Sequence, residues 1–265
     1  MGLRAPEWIV VAYYAYLAVA AAVVPRIARP HRWRALCLAL AVLLTVFTIA
    51  AFDTAAMWWR EWLPLAYIVI GYRLPALLVA GTNQAIERRL LALDRRWRVN
   101  TIRERASRPV IHVLELAYLC CYPMVPIGFG CVYFAGVRED WDRFWIAVLV
   151  AAFGCYGVLP WLPTRPPRAI EGTPMPASPG LIRGLNVRVL GVVSNQLNTF
   201  PSGHAAASLA TALAVGARLP LAGFALGLLA LAIAIGSVVG RYHYAADALA
   251  GIALALIAFV LSRLV

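Results

Sequence analysis

Runs of apolar residues near 6 to 24, 35 to 52, 62 to 81, 109 to 136, 144 to 163, 203 to 217, 220 to 240 and 246 to 262 divide this chain of 265 residues. An α-helix needs roughly 20 such residues to cross the hydrocarbon of a bilayer, so each run is a candidate span. With 63% hydrophobic residues, 14% charged residues and a mean hydropathy of +0.77, a soluble domain is excluded. The fold class expected is all-α, a polytopic membrane helical bundle. The chain reads as a multi-pass protein of a bacterial inner membrane.

The first run has no strongly basic segment ahead of it and stops at Pro25 before a basic loop, so it reads as a retained span. Pro64, Arg73 and Pro75 interrupt the third, which makes it a candidate re-entrant segment, with Arg73 paired to a buried acid such as Glu115. Pro123, Pro126, Gly128 and Gly130 predict a kink in the fourth. The runs at 203 to 217 and 220 to 240 are rich in Ala and Gly, which lets helices approach closely. Cys37, Cys120, Cys121, Cys131 and Cys155 lie within or at the ends of apolar runs without metal-ligand spacing, and read as small packing residues. No metal site, cofactor or nucleic-acid partner is expected.

All 24 basic residues are arginine, and the formal charge is +12. Arginine stays protonated and grips phosphate oxygens in a bidentate way. Residues 84 to 108 alternate basic and apolar residues at helical spacing, as an in-plane amphipathic helix on anionic lipid would. Residues 164 to 200 form a long Pro-, Gly- and Asn-rich connection of the kind that carries function.

Three polar motifs stand at the ends of the later runs. Pro201-Ser202-Gly203-His204 opens a helix, where free N–H groups and the positive end of the helix dipole bind anions. Ser202 caps it and can donate to a phosphate oxygen, Gly203 leaves the backbone open, and His204 places an acid/base group beside the anion. In Arg241-Tyr242-His243-Tyr244-Ala245-Ala246-Asp247, helical spacing would put His243 and Asp247 on one face, the carboxylate holding one imidazole nitrogen while the other attacks phosphorus. Arg241 offers a fixed charge to the transition state. Pro163-Thr164-Arg165-Pro166-Pro167-Arg168 is stiffened by its prolines, so Arg165 and Arg168 are expected to face one anion. With single crossings at 203 to 217 and 220 to 240, all three motifs emerge on one side of the membrane.

At these residues the chain resembles the type 2 phosphatidic acid phosphatase superfamily, which shares its core with bacterial acid phosphatases and vanadium haloperoxidases. The resemblance covers about residues 109 to 262. Arg165-Pro166 and Pro167-Arg168 look like its arginine-proline motif, Pro201 to His204 match its Pro-Ser-Gly-His, and His243 with Asp247 match its third motif. The first motif's lysine is absent, and Gly236-Ser237 stand where a Ser-Arg is usual. Arg241 in Arg-x-His-Tyr-x-x-Asp, Pro-Pro-Arg and Glu115-Leu116-Ala117-Tyr118 look more like the inositol phosphorylceramide synthase branch.

The resemblance implies a six-helix phosphatase core with extra N-terminal helices and an amphipathic interfacial helix. Residues 1–108 would hold the N-terminal spans and basic segment, and residues 109–265 the catalytic core. It implies a lipid phosphate phosphatase or phosphotransferase in which His243 becomes a phosphohistidine, Asp247 orients it, and His204 protonates the leaving oxygen and later deprotonates the acceptor. Arg165, Arg168, Arg241, Ser202 and the Gly203 amide would hold the phosphoryl oxygens without a metal. A lipid phosphate, membrane lipids and a small alcohol acceptor are the implied partners.

His112 and Glu115 share a helix face, as a structural pair or, with Tyr118, as an acceptor or headgroup contact. Asn195 and Asn198 read as turn residues, with headgroup contact as the other reading. A non-catalytic lipid-phosphate binding or transport protein is the alternative from another class. Counting Arg26, Arg29, Arg32, Arg34 and the eight arginines between 88 and 108 on the catalytic side, the positive-inside rule puts the site in the cytoplasm. Relatives in the superfamily usually work on the outer face, and arginines drawn to phosphates would produce the same asymmetry.

Overall fold

The computed structural model describes residues 2–24, 27–52, 58–171, 181–195, 197 and 199–265; Pro25, Arg26 and Asn198 lie outside them. Every regular element among these residues is helical. In chain order they are α1 (Ala5–Val23), α2 (Arg29–Ala51), α3 (Leu63–Arg73), α4 (Gln84–Arg96), α5 (Val99–Arg105), α6 (Arg108–Leu119) and α7 (Cys121–Ala135). Then follow α8 (Arg138–Tyr156), α9 (Pro167–Ile170), α10 (Leu181–Val193), α11 (Gly203–Gly216), α12 (Pro220–Val239) and α13 (Ala245–Ser262), with 3-10 turns at Trp58–Glu61 and Leu74–Leu78.

The bundle is built around α8. Its first turn carries Glu139 and Asp140, where acids favour the positive end of a helix, and from Phe144 to Tyr156 it is buried almost all round. It packs against α1, α3, α7, α11 and α13. At its start the Trp145 indole donates to the Glu61 carbonyl (2.9 Å), next to a buried ion network. There Arg60 donates to both oxygens of Glu7 at 2.8 Å, and Arg4 to both oxygens of Glu61 at 2.9 and 2.7 Å. The bidentate Arg60–Glu7 pair, and the sharing of Arg4 Nη1 between both oxygens of Glu61, are what let four charges sit beside the apolar bundle. At its other end Tyr156 lies against Gly203, the start of α11.

Among the described residues four helices, α1, α2, α12 and α13, are long and apolar enough to cross a membrane, and α6 with α7 would make a fifth if taken as one span. Several of the runs read as spans fold otherwise. Residues 62 to 81 form α3 and a 3-10 turn, because Pro75 cannot donate to the preceding turn; the 11 residues of α3 reach about 16 Å. The kinked run breaks at Cys120 into α6 and α7, bent by 57°. The break falls three residues ahead of Pro123, whose ring excludes the carbonyl of Leu119, four residues before it, from the helical ladder. The run at 203 to 217 yields the 14-residue α11, about 21 Å long, and α8 begins in charged residues upstream of its apolar run.

The segment expected as one amphipathic helix forms two, α4 and α5, parted at Trp97 and Arg98, the latter with a left-handed φ of 55°, and α4 packs on the protein as well as facing outward. Glu87, Leu90, Leu91 and Asp94 are its buried stripe in α4, while Arg88, Arg89, Arg95 and Arg96 are exposed. Leu90 and Leu91 pack on Tyr244, ahead of α13. Arg73, expected to pair with a buried acid, donates instead to the Val192 carbonyl at the end of α10 (2.7 Å).

Helices α11 and α12 approach closely because both are glycine at the crossing. A Cβ on Gly223 would stand 2.1 Å from the Gly216 Cα. Gly223→Val must therefore push the two backbones apart, at a cost of about 1–3 kcal/mol or more. The expected result is a clearly lower Tm of the detergent-purified protein, followed by circular dichroism; an unchanged Tm would rule out this close approach.

Candidate active site

The loop between α12 and α13 sets the position of His243. The Ser237 carbonyl accepts from the backbone N–H groups of both Tyr242 (2.9 Å) and His243 (3.0 Å), which folds the chain back on the end of α12. Arg241 takes the turn with φ of 61°, a left-handed conformation uncommon outside glycine. Its side chain holds that turn in place. The guanidinium is 1% exposed, donates from Nη1 to Asp94 of α4 (2.7 Å) and pairs through Nη2 with Glu171. The other oxygen of Asp94 accepts from the Ala245 N–H, the first residue of α13 (3.0 Å).

His243 is 3% exposed, and its two ring nitrogens have different partners. Nδ1 lies 2.9 Å from the Thr199 carbonyl, which can only accept. The proton therefore sits on Nδ1, and the lone pair of Nε2 points to Nδ1 of His204 at 3.3 Å. Burial pushes the His243 imidazole down from 6.5 to about 4; the Thr199 bond works against this and the charge of Arg168 adds to it. The neutral form is thus populated at neutral pH.

Asp247 stands differently from the helical-face expectation. His243 precedes α13, with Tyr244 as an extended N-cap residue, so the two are not neighbours along a helix. Asp247 Oδ2 accepts from the Tyr244 N–H (2.9 Å) and lies 3.5 Å from His243 Nδ1, further than the Thr199 oxygen. Its Oδ1 is buried with no hydrogen-bond partner among the described residues. The carboxyl group thus caps α13 and sits behind the imidazole.

Ser202 and Gly203 begin α11 beside this pair. Ser202 Oγ accepts from the Ala205 N–H (3.3 Å), and its own N–H donates to the Asp247 carbonyl (3.0 Å), tying the Pro-Ser-Gly-His turn to α13. His204 lies between Tyr118 and Tyr122, with ring centroids at 5.3 and 5.9 Å. Beyond it opens a cavity of about 480 Å³, lined mostly by apolar side chains of α3 and α7, including Leu65, Ile68 and Val125, with Tyr72 and Arg73 from the end of α3 and Gly203 and His204 from the start of α11.

The three arginines do not share one position. Arg165 donates from its backbone N–H, Nε and Nη2 to Glu87 of α4 at 2.9, 3.1 and 2.9 Å. Burial works against the Glu87 carboxylate, and Arg165 more than offsets it, holding its pKa below the usual range. Arg168 goes elsewhere. Its guanidinium carbon is 4.8 Å from the Tyr242 ring centroid, its Nη1 is buried with no hydrogen-bond partner among the described residues, and its charge acts on both histidines. Of the three, Arg168 is the one without a carboxylate partner among the described residues; a buried donor is left over on Arg241 as well, at Nε.

His112 is exposed, whereas Glu115 is buried. Glu115 accepts from Arg183 (2.9 Å), Asn186 (2.6 Å) and the Tyr242 hydroxyl (2.6 Å), so neither His112 nor Arg73 is its partner. Asn195 bonds to Tyr72 at the end of α3. Sequence reasoning missed Thr199, Glu87, Asp94 and Glu171. A backbone carbonyl carries no residue signal, but Glu87 and Asp94 were readable as acids within a basic segment.

The turn at Ser202 also depends on a close backbone approach. A Cβ on Gly251 of α13 would lie 2.4 Å from the Ser202 carbonyl oxygen. Alanine in place of a mid-helix glycine would ordinarily stabilise by about 1 kcal/mol. Here the overlap should win, so Gly251→Ala is expected to lower the Tm and to impair any activity that uses His204, measured on the same preparation.

Comparison with curated proteins and with solved structures finds no match. The model of one family, described as the PAP2 superfamily, matches residues 84–261, from the first residue of α4 through most of α13. That range includes both histidines, the three arginines and the two acids of α4. The chain belongs to the PAP2 superfamily, and its activity class is that of the phosphatase-type phosphoesterases.

Proposed function

We propose that this chain is an integral-membrane, metal-independent enzyme that removes the phosphoryl group from a lipid phosphate through a phosphohistidine at His243. The observation that carries the reading is the His243–His204 pair, 3.3 Å apart, with His204 lining a largely apolar cavity. Its nucleophilic nitrogen is set by the Thr199 carbonyl behind it.

In the first step the Nε2 lone pair of His243 attacks phosphorus and the bond to the leaving oxygen breaks. His204 enters as the imidazolium, stabilised by the phosphate it faces, and gives its proton to that oxygen. The positive charge left on phosphorylated His243 is met by the Thr199 carbonyl and the Asp247 carboxylate. In the second step water attacks phosphorus, His204 takes its proton, and the N–P bond breaks. An alcohol in place of water turns the same steps into a transfer, as in the inositol phosphorylceramide synthase-like branch. Arg168 and the N–H groups opening α11 hold the phosphoryl oxygens. The cavity suits acyl chains, which pass between α3 and α7 from the bilayer while the phosphate rests at His204.

Detergent-purified protein is expected to release phosphate from dioctanoyl phosphatidic acid in the presence of EDTA, with inhibition by orthovanadate. His243→Ala should lower kcat by roughly 1,000-fold or more, as loss of a covalent nucleophile does. A His243→Ala variant as fast as the parent overturns the mechanism. Mass spectrometry of products formed with and without inositol separates hydrolysis from transfer, and lipid that crosses vesicles unchanged would favour a transport role.

The pH profile tests the assignment of His243. Only neutral imidazole attacks, and its folded pKa is lowered, so rate is lost as pH falls through a value below 6.5. The acid limb of kcat/KM should therefore lie below that of free imidazole. An acid limb at or above 6.5 would contradict the buried, Thr199-bonded nucleophile.

A further inference from the structure

We propose that Tyr242 is a positioning residue for Arg168, holding its guanidinium by the face of a ring so that its charge and N–H donors stay free for the phosphoryl group; this rests on the reaction proposed above.

Arg165 is paired with Glu87, and Arg241 with Asp94 and Glu171. A carboxylate fixes an arginine well, but it also cancels the charge a phosphate would use. Arg168 is fixed without one. Its backbone N–H donates to the Arg241 carbonyl (3.3 Å) and its guanidinium lies over the Tyr242 ring at 4.8 Å. Contact with a π face leaves the in-plane N–H groups unused, and Nη1 is buried and unpartnered among the described residues.

The ring is itself held firmly. Tyr242 stacks on Tyr118 with centroids 4.4 Å apart and planes at 9°. Its hydroxyl donates to Glu115 at 2.6 Å, and Arg183 and Asn186 hold that carboxylate in turn. A buried polar chain therefore runs from α10 through α6 to the ring beneath Arg168. Tyr242 immediately precedes His243, and the Ser237 carbonyl binds both backbone N–H groups, so one turn places the nucleophile and the anion donor together.

The test is a double-mutant cycle on kcat/KM for phosphate release from dioctanoyl phosphatidic acid, with orthovanadate inhibition measured in parallel. Tyr242→Leu should lower kcat/KM about tenfold and weaken vanadate similarly, the size expected of a desolvated cation–π contact. Tyr242→Phe gives up the Glu115 bond but keeps the ring and its stack on Tyr118, so its loss should be clearly smaller than that of Tyr242→Leu. In an Arg168→Ala background Tyr242→Leu should cost nothing further, because residues that act as one unit are not additive. Should Tyr242→Leu not fold, Tyr242→Met takes its place in the cycle. Additive losses, or a Tyr242→Phe variant as impaired as Tyr242→Leu, overturn the positioning role while leaving the enzyme intact. A parent that neither releases phosphate nor binds vanadate overturns the reaction and this inference together.

Discussion

The pairing of Arg241 with Asp94 fixes the turn on which His243 stands, and most of the site's geometry follows from it. A non-glycine residue in the left-handed region costs roughly a kilocalorie per mole or more and persists only where its surroundings hold it. Here Asp94 and Glu171 hold the side chain, and Asp94 binds the first amide of α13 as well. One carboxylate from α4 thereby joins the end of α12 to the start of α13. The basic helix α4 is for this reason part of the site's framework, and the family match begins at its first residue.

What could be read from the sequence was whatever depends on local composition. The all-helical bundle, the amphipathic helix and the Pro-Ser-Gly-His turn follow from periodicity and from the chemistry of helix ends. What could not be read depends on chain reversals and distant partners. The spacing of His243 and Asp247 implies a shared helix face only if the helix includes both, and α13 starts at Ala245. Thr199 orients the imidazole through its carbonyl, which every residue possesses. The span lengths failed for a related reason: apolar composition does not register where Pro75 or Pro123 withdraws a backbone donor, nor that the charged start of α8 continues its helix.

Glycines carry the precision of this bundle because helices without a strong hydrophobic drive between them associate by close packing. Gly223 lets α12 meet α11 at the end of the hairpin away from the histidines, and Gly251 lets α13 meet Ser202 beside them. The two contacts hold α11 at both ends. The Ser202 amide bonded to the Asp247 carbonyl completes the second, so the distance between His204 and His243 is set by backbone contacts more than by the histidines themselves.

The charge balance around the histidines bears on the proposed chemistry. Arg165, Arg241 and Arg183 each face at least one carboxylate, among Glu87, Asp94, Glu171 and Glu115, so Arg168 is the arginine of this group left to meet an incoming anion. A phosphate dianion brings more negative charge than one guanidinium cancels. In a buried site of low dielectric the remainder favours protonation of the imidazole it touches. His204 is that imidazole, since His243 Nδ1 is already committed to Thr199 and its Nε2 must stay free to attack. The substrate would then supply the protonation state of its own general acid. The two histidines, chemically alike, would take opposite roles because a backbone carbonyl holds one of them and the phosphate charges the other.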